Sequence, residues 1–287
     1  MRTRDFLRFV PGLSWLVQLL DAHERQSRLL TAECWRLANE NHRLKSTRRG
    51  PRISAGFDTG EPPLPSPVLR LLVAGTDDAD WFRTGGKLGA ESLASLLAKN
   101  YIAIEQCTRI LDFGCGCGRV IRHLRHLPAE MHGCDTNPVA VEWCDDYLPF
   151  AQFAVNDLTP PLPYTDSSFD LIYALSVFTH LPEELQLPWM AELRRLLKPS
   201  GTLVLSLHGD ALYGHLNRAE RKDYCAGKLV VRVSEMGGTN HCAVFHPPAF
   251  VRSVLAEGFE VLDLVSEGAS GNPPQDAWVL RKQAPWS

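Results

Sequence analysis

Between residues 88 and 281 the apolar positions switch back and forth between a helical period and short unbroken runs. The periodic stretches predict helices over 88–100, 118–126, 138–147, 183–197 and 247–257. The helix at 138 opens on a proline, whose missing N–H would have no partner at that position anyway. The short runs predict strands over 109–113, 130–134, 150–155, 170–175, 202–207, 259–265 and 277–281, with a further antiparallel pair over 228–233 and 241–245. The run at 170–175, "DLIYAL", is nearly all apolar, as suits a strand buried on both faces. Strand and helix alternating in this order imply a parallel sheet covered by helices, the α/β class.

Upstream the pattern changes. Residues 12–46 read as one helix in which Leu16, Leu20, His23, Ser27, Leu30, Cys34, Leu37, Asn41 and Leu44 follow the four-three spacing of a heptad seam, polar in places. Two readings stand side by side: an amphipathic helix packed on its own domain, and a short coiled coil joining two copies into a homodimer. A third is contact with an anionic membrane surface through Arg2, Arg4, Arg8 and Trp15. Residues 47–67, "TRRGPRISAGFDTGEPPLPSP", have no period and are rich in Pro, Gly and charge, which marks a linker. The expected organisation is a helical arm over 1–46, a linker over 47–67 and a domain over 68–287. The stretch of about 208–246 is a substrate-side insert in that domain.

Composition alters this picture in few places. With 45% hydrophobic and 22% charged residues, the make-up is that of a soluble globular protein, and 287 residues can bury a core without disulfides. The net charge of -3 is unevenly spread. Residues 1–52 carry eleven Lys/Arg and five Asp/Glu, whereas the rest carries nineteen against twenty-eight. A basic arm therefore joins a mildly acidic body. Such a body argues against nucleic acid as a partner, because phosphate contacts need a basic patch. No run reaches the roughly 20 apolar residues of a membrane span. The early stretch 13–20 is broken by Ser14 and Gln18 and lacks a cleavage site after it, so no secretion signal is expected. Eight scattered cysteines in a chain of this length read as reduced thiols of a cytoplasmic protein.

The chemistry concentrates at "ILDFGCGCGRVIRHL", residues 110–124. Gly114, Gly116 and Gly118 follow the first strand of the parallel sheet, where such sheets bind ligands. Glycines there permit positive φ and close backbone approach, and the amides of the helix expected next would add partial positive charge. The dinucleotide fingerprint G-x-G-x-x-G and the phosphate loop ending Gly-Lys-Ser/Thr both fail on spacing. A nicotinamide oxidoreductase is disfavoured accordingly. Asp135, closing the second strand in "GCDTN", is placed to accept the two hydroxyls of a ribose. Asp157, closing the third in "VNDL", is placed to accept from an adenine amino group.

"ILDFGCGCGRV", "GCDTN", "VNDL", "FDLIYALSVFTHL" and "LRRLLKPSGTLVLS" together resemble the successive motifs of class I S-adenosylmethionine-dependent methyltransferases, over about residues 108–207. The resemblance implies a doubly wound, mostly parallel seven-stranded sheet with an antiparallel last strand, and S-adenosyl-L-methionine as cofactor. It implies that Gly114, Gly116 and Gly118 cradle the cofactor and that Asp112 orients the loop or meets the amino acid part. Asp135 would hold the ribose, Asp157 with Leu158 would frame the adenine, and Leu175 with Ser176 would line the floor near the methyl group. The flanking "WFRTGG" and "HPPAFVRSVLAEGFEVLDLVSEG" resemble bacterial methyltransferases associated with glycan assembly, which points to a sugar or another hydroxylated small molecule as acceptor.

Methyl transfer from a sulfonium needs alignment more than acid–base chemistry, and a base matters only where the acceptor loses a proton. His180, in "SVFTHL", is the candidate base; the alternative is a structural histidine in the turn before the next helix. Phe178 shields the methyl group or belongs to the core. The acceptor pocket is expected from Trp81, Arg83 and Gly86, from Tyr213, His215 and Tyr224, and from His241 and His246. Asp276, beside Gln275, reads as the cap of a turn. Cys115, Cys117 and Cys134 lack the spacing of a zinc site and read as small fillers of a crowded turn, with no metal expected. The rival to an active enzyme is a non-catalytic cofactor-binding scaffold that acts through the N-terminal helix.

Overall fold

The computed structural model describes residues 60–283, except 272 and 274, and single helical positions between residues 18 and 37. The heptad seam over 12–46, and with it the coiled-coil and homodimer expectation, otherwise lies outside the described residues, as does the linker up to residue 59. The chain divides into two units, Met1–Arg52 and Ile53–Ser287, and the second is described below.

Its strands are β1 (Arg109–Phe113), β2 (Glu130–Asp135), β3 (Ala151–Val155), β4 (Phe169–Ala174), β5 (Leu197–Leu207), β6 (Val230–Arg232), β7 (Ala243–Phe245), β8 (Phe259–Val265) and β9 (Asp276–Lys282). Seven of them form one sheet in the order β3-β2-β1-β4-β5-β9-β8, and β6 with β7 form a separate antiparallel pair. β1 to β5 pair in parallel, while β9 runs antiparallel to both β5 and β8. Six strands thus share one direction and the last opposes them, as the resemblance implies. The strand order reverses between β1 and β4, which opens a crevice beyond their carboxyl ends.

Two-residue alternation sorts the core onto the two faces of the sheet. Leu111, Phe113, Ile172, Leu203 and Leu205 pack on one face with Trp189 and Leu193. Ile110, Leu171, Tyr173, Val204 and Val279 pack on the other with Leu93 and Leu97. The helices are α1 (Pro67–Ala74), α2 (Ala79–Lys99), α3 (Pro138–Tyr147), α4 (Glu183–Leu196) and α5 (Arg218–Cys225), followed by a short turn at Pro248–Phe250 that continues as a π-helix over Val251–Leu255. Polar caps set the starts of four of them. Ser66 opens α1, Asp78 accepts two amides of α2, Asn137 accepts two amides of α3, and Asn217 with Glu220 forms a capping box on α5. No helix among the described residues is long and apolar enough to cross a membrane.

The structure corrects the sequence reading after the glycine loop. Residues 118–126 form no α-helix; they hold successive turns with a three-residue 3₁₀ segment, Ile121–His123. The cause is the burial of Arg122, which is 5% exposed. Its guanidinium donates to the carbonyls of Gly118 and Pro63 and lies over the rings of Phe82 and Trp143. His123 and Leu124 bond three residues back, and Pro128 lies too close for a regular helix to develop. A helix dipole therefore adds no charge at the loop. α2, in contrast, begins nine residues before the predicted start and takes in "DWFRTGG". Its glycines allow close approach: a Cβ on Gly86 would lie 2.1 Å from the Arg119 carbonyl oxygen. β5 likewise starts at Leu197 and absorbs "KPSG", where Lys198 Nζ binds Asp170 at 2.8 Å.

Candidate functional site

The crevice at the β1–β4 switch point holds the glycine loop. Gly114, Gly116 and Gly118 all have positive φ, at 77°, 53° and 69°. Side chains at these positions would also collide with Val177, Val73 and Leu148, each within 2.4 Å of the added Cβ. The loop is pinned to β2 from two directions. Gly114 and Cys115 donate their amides to the Cys134 carbonyl, and Gly116 N donates to Asp135 Oδ2 at 2.8 Å. Asp135 Oδ1 accepts from Asn137 N, also at 2.8 Å. Burial pushes the Asp135 pKa up, against the pull of these amides.

Asp112 stands at the end of β1 and is 4% exposed. Burial raises its pKa to about 7; the Tyr173 hydroxyl and the charge of Arg119 pull it down, and Asp135 pushes it further up. The parallel register sets Tyr173 of β4 directly beside it. The Tyr173 hydroxyl is fully buried and completes no well-formed hydrogen bond. Asp157 and Leu158 sit at the exposed end of β3, where the Leu158 carbonyl accepts from Trp189 Nε1 at 2.9 Å. Leu175 and Ser176 follow β4 and are half-buried. Ser176, at φ 63°, is held by a closed ring of hydrogen bonds. Its amide donates to Ser206 Oγ, Ser206 Oγ donates to Gln275 Oε1, and Gln275 Nε2 donates back to Ser176 Oγ.

The cysteines lie beneath the loop. Cys115, Cys117, Cys134 and Cys144 are buried, and the thiols of Cys115 and Cys144 both approach the Gly116 carbonyl at 3.5 Å. Burial raises the pKa of the Cys117 and Cys134 thiols, so they stay protonated. No group of three or more metal-ligating side chains converges among the described residues.

On the acceptor side the structure separates residues that the sequence groups together. His180 follows β4 in a 3₁₀ turn; its Nδ1 lies 2.7 Å from the Cys242 carbonyl, and burial lowers its pKa. Phe178 is fully buried in the core, on the face opposite Asp112. His246 is 1% exposed and bonds Gln186 Oε1 through Nε2 at 3.1 Å. Tyr224 donates to Asp210 Oδ1 at 2.9 Å, whereas Tyr213 faces Cys225. Trp81 lies under the Arg119 guanidinium, and Arg83 is exposed and paired with Asp80. Asp276 caps two segments, accepting from Asp210 N and Glu267 N at 3.1 Å each.

Sequence reasoning overlooked Tyr173, Ser206, Gln186 and His208. Only the polar side chain within the apolar run "TLVLSLH" hinted at Ser206, and each of the four has a partner far away in the chain.

The same stretch matches a family model described as a methyltransferase domain, over residues 111–205. An uncharacterized methyltransferase of Synechocystis sp. is 31% identical over 120 residues, which are 41% of this chain and 55% of the relative. The trans-aconitate 2-methyltransferase of Escherichia coli is 30% identical over 114 residues, 39% of this chain and 43% of that one. The chain thus spans about half the length of these relatives. A Haloferax volcanii protein solved in complex with the methyltransferase activator Trm112 shares the fold, with a TM-score of 0.50 at 15% identity over 72% of this chain and 96% of that one.

Proposed function

We propose that the chain is a class I S-adenosyl-L-methionine-dependent methyltransferase that transfers the methyl group to a hydroxyl of a small molecule, a sugar or another hydroxylated metabolite; the match of residues 111–205 to a methyltransferase domain is the premise. The observation that carries the reading is the convergence of the glycine loop, Asp112 and Asp135 on one crevice.

The residues fit the cofactor. Each Asp135 oxygen gives one acceptor site to a backbone amide and keeps another, which suits the paired hydroxyls of a ribose. Asp112, set beside the Tyr173 hydroxyl, offers an acceptor for the ammonium of an amino acid head group. Asp157 and Leu158 border the place of the adenine, and Leu175 with Ser176 that of the methyl group.

The cofactor supplies an activated methyl group when bound. The chain's residues then align the acceptor and exclude water. The Ser176–Ser206–Gln275 ring makes the floor rigid. A carbonyl oxygen can only accept, so His180 carries its proton on Nδ1, facing Cys242. Its neutral Nε2 is left to take the proton of an acceptor hydroxyl.

Calorimetric titration with S-adenosylhomocysteine, with reduced nicotinamide as control, tests the reading. Micromolar binding of the first alone supports it, and transfer of labelled methyl to a panel of sugars then identifies the acceptor class. A folded protein that binds neither ligand overturns the reading; S-adenosylhomocysteine binding with no methyl transfer to any acceptor returns the cofactor-binding scaffold.

A further inference from the structure

β7 pairs with β6, from Val230 opposite Phe245 to Arg232 opposite Ala243. Beyond that pairing, the carbonyls of Val244 in β7 and of Cys242, the residue just before β7, accept from imidazole rings. His180 Nδ1 lies 2.7 Å from Cys242 O, and His208 Nδ1 lies 3.1 Å from Val244 O. The His246 amide also donates to the His208 carbonyl at 2.8 Å, so the segment after β5 is fastened to the same stretch.

Two carbonyl acceptors settle two tautomers. Both rings carry hydrogen on Nδ1, and both keep their lone pair on Nε2. Burial also lowers both pKa values, that of His208 to about 4, so both rings are neutral at pH 7. The rings stand edge to face with centroids 6.3 Å apart, and both side chains are half-buried. Neither Nε2 has a polar partner among the described residues. His180 follows β4 and His208 follows β5, so the pair sits at the carboxyl edge beside Ser176, whose amide binds Ser206 of β5.

We propose that His180 and His208 form a paired acceptor for two neighbouring hydroxyl groups of one polyol substrate. His180 Nε2 faces the hydroxyl that is methylated, and His208 Nε2 accepts from the hydroxyl beside it. This rests on the methyl-transfer reading above. In the reaction the acceptor oxygen forms the new O–C bond, the C–S bond breaks with its electron pair going to sulfur, and the hydroxyl proton passes to His180 Nε2. His208 exchanges no proton; it positions the acceptor and restricts it to a diol.

The test is long-range ¹H–¹⁵N spectroscopy of the full chain labelled on histidine nitrogen, with His180→Asn and His208→Asn used for assignment. Asparagine can still donate to the β7 carbonyl but offers nothing in place of Nε2. The probes are methyl hexopyranosides and myo-inositol, each with a deoxy counterpart, added with S-adenosylhomocysteine. The expected result is Nδ1–H on both rings, with both Nε2 signals moved by at least one diol and His208 unmoved by its deoxy counterpart. His208→Asn should weaken that diol roughly five- to tenfold, the loss of one neutral hydrogen bond, with unchanged thermal stability and S-adenosylhomocysteine affinity. A proton on Nε2 of His208, or a His208 signal that no probe moves, overturns the proposal. Calorimetry on the same sample keeps the two readings apart. Loss of S-adenosylhomocysteine binding strikes the methyl-transfer reading, whereas a silent His208 with that binding intact strikes only the diol pair.

Discussion

At Asp135 one carboxylate both fastens the loop and faces the crevice, through Gly116 N and Asn137 N at 2.8 Å each. Asp135→Ala should therefore cost about 1–3 kcal/mol of stability by leaving two amides unpaired, and weaken S-adenosylhomocysteine more than tenfold on the ribose reading. Urea unfolding and calorimetry measure the two effects; unchanged affinity would remove the ribose role. Asp112 adds a pH dependence. Its pKa near 7 leaves it partly protonated at neutral pH, and a ligand ammonium beside it would favour the ionised form. Affinity for S-adenosylhomocysteine should rise from pH 6 to pH 8, with a proton released on binding at the lower pH. Equal affinities would place the ligand charge away from Asp112. His180→Ala should lower turnover far more than cofactor affinity, and unaltered turnover with the true acceptor would make the ring structural.

Among the elements, α2 gives the clearest physical test. An Ala in place of a mid-helix Gly ordinarily stabilises by about 1 kcal/mol. At Gly86 the new methyl group would meet the Arg119 backbone at 2.1 Å, so Gly86→Ala should destabilise by about 1–3 kcal/mol despite better helix propensity. A stabilised variant in thermal unfolding would show that α2 can move away from the loop. The same contact explains an error of reading. In α2 the pair "GG" is a flat patch on which another segment lies. The segment 118–126 is the converse case, a helical period that yields turns because Arg122 is drawn inside. α3 and β8 have the predicted bounds, since Asn137–Pro138 and Gly258–Phe259 punctuate them locally.

For the molecule as a whole, the buried histidines set the response to acid. His208 and His246 have pKa values of about 4 and about 3, against 6.5 for an exposed ring. Between those limits the unfolded chain binds more protons than the folded one. Their contribution is therefore complete above pH 6.5 and lost as pH falls, by up to about 1.4 kcal/mol per pH unit for each ring. Asp112 opposes this, because its raised pKa makes the folded state bind the extra proton between about 4 and 7. Five rings lowered by burial, His123, His132, His180, His208 and His246, against two raised carboxyls, Asp112 and Asp135, leave a net loss on acidification. The urea midpoint should fall between pH 7.5 and pH 5; a midpoint unchanged or higher at pH 5 would mean that the rings are already protonated in the fold.

The opposed last strand is what the family resemblance implied; local pattern by itself determined the alternation of strands and helices outside 118–126, the parallel sheet, and the positions of Asp112, the glycines and Asp135 at strand ends. These follow from period, punctuation and motif spacing, all carried by residues close together in the chain. What the tertiary structure alone decided is pairwise and long-range. Asp112 meets Tyr173 through the β1–β4 register, Ser176 is held by Ser206 and Gln275, and His180 and His208 receive their tautomers from Cys242 and Val244. Hydrogen-bond partners and desolvation belong to positions in space, and no periodicity in the chain encodes which carbonyl an imidazole will find.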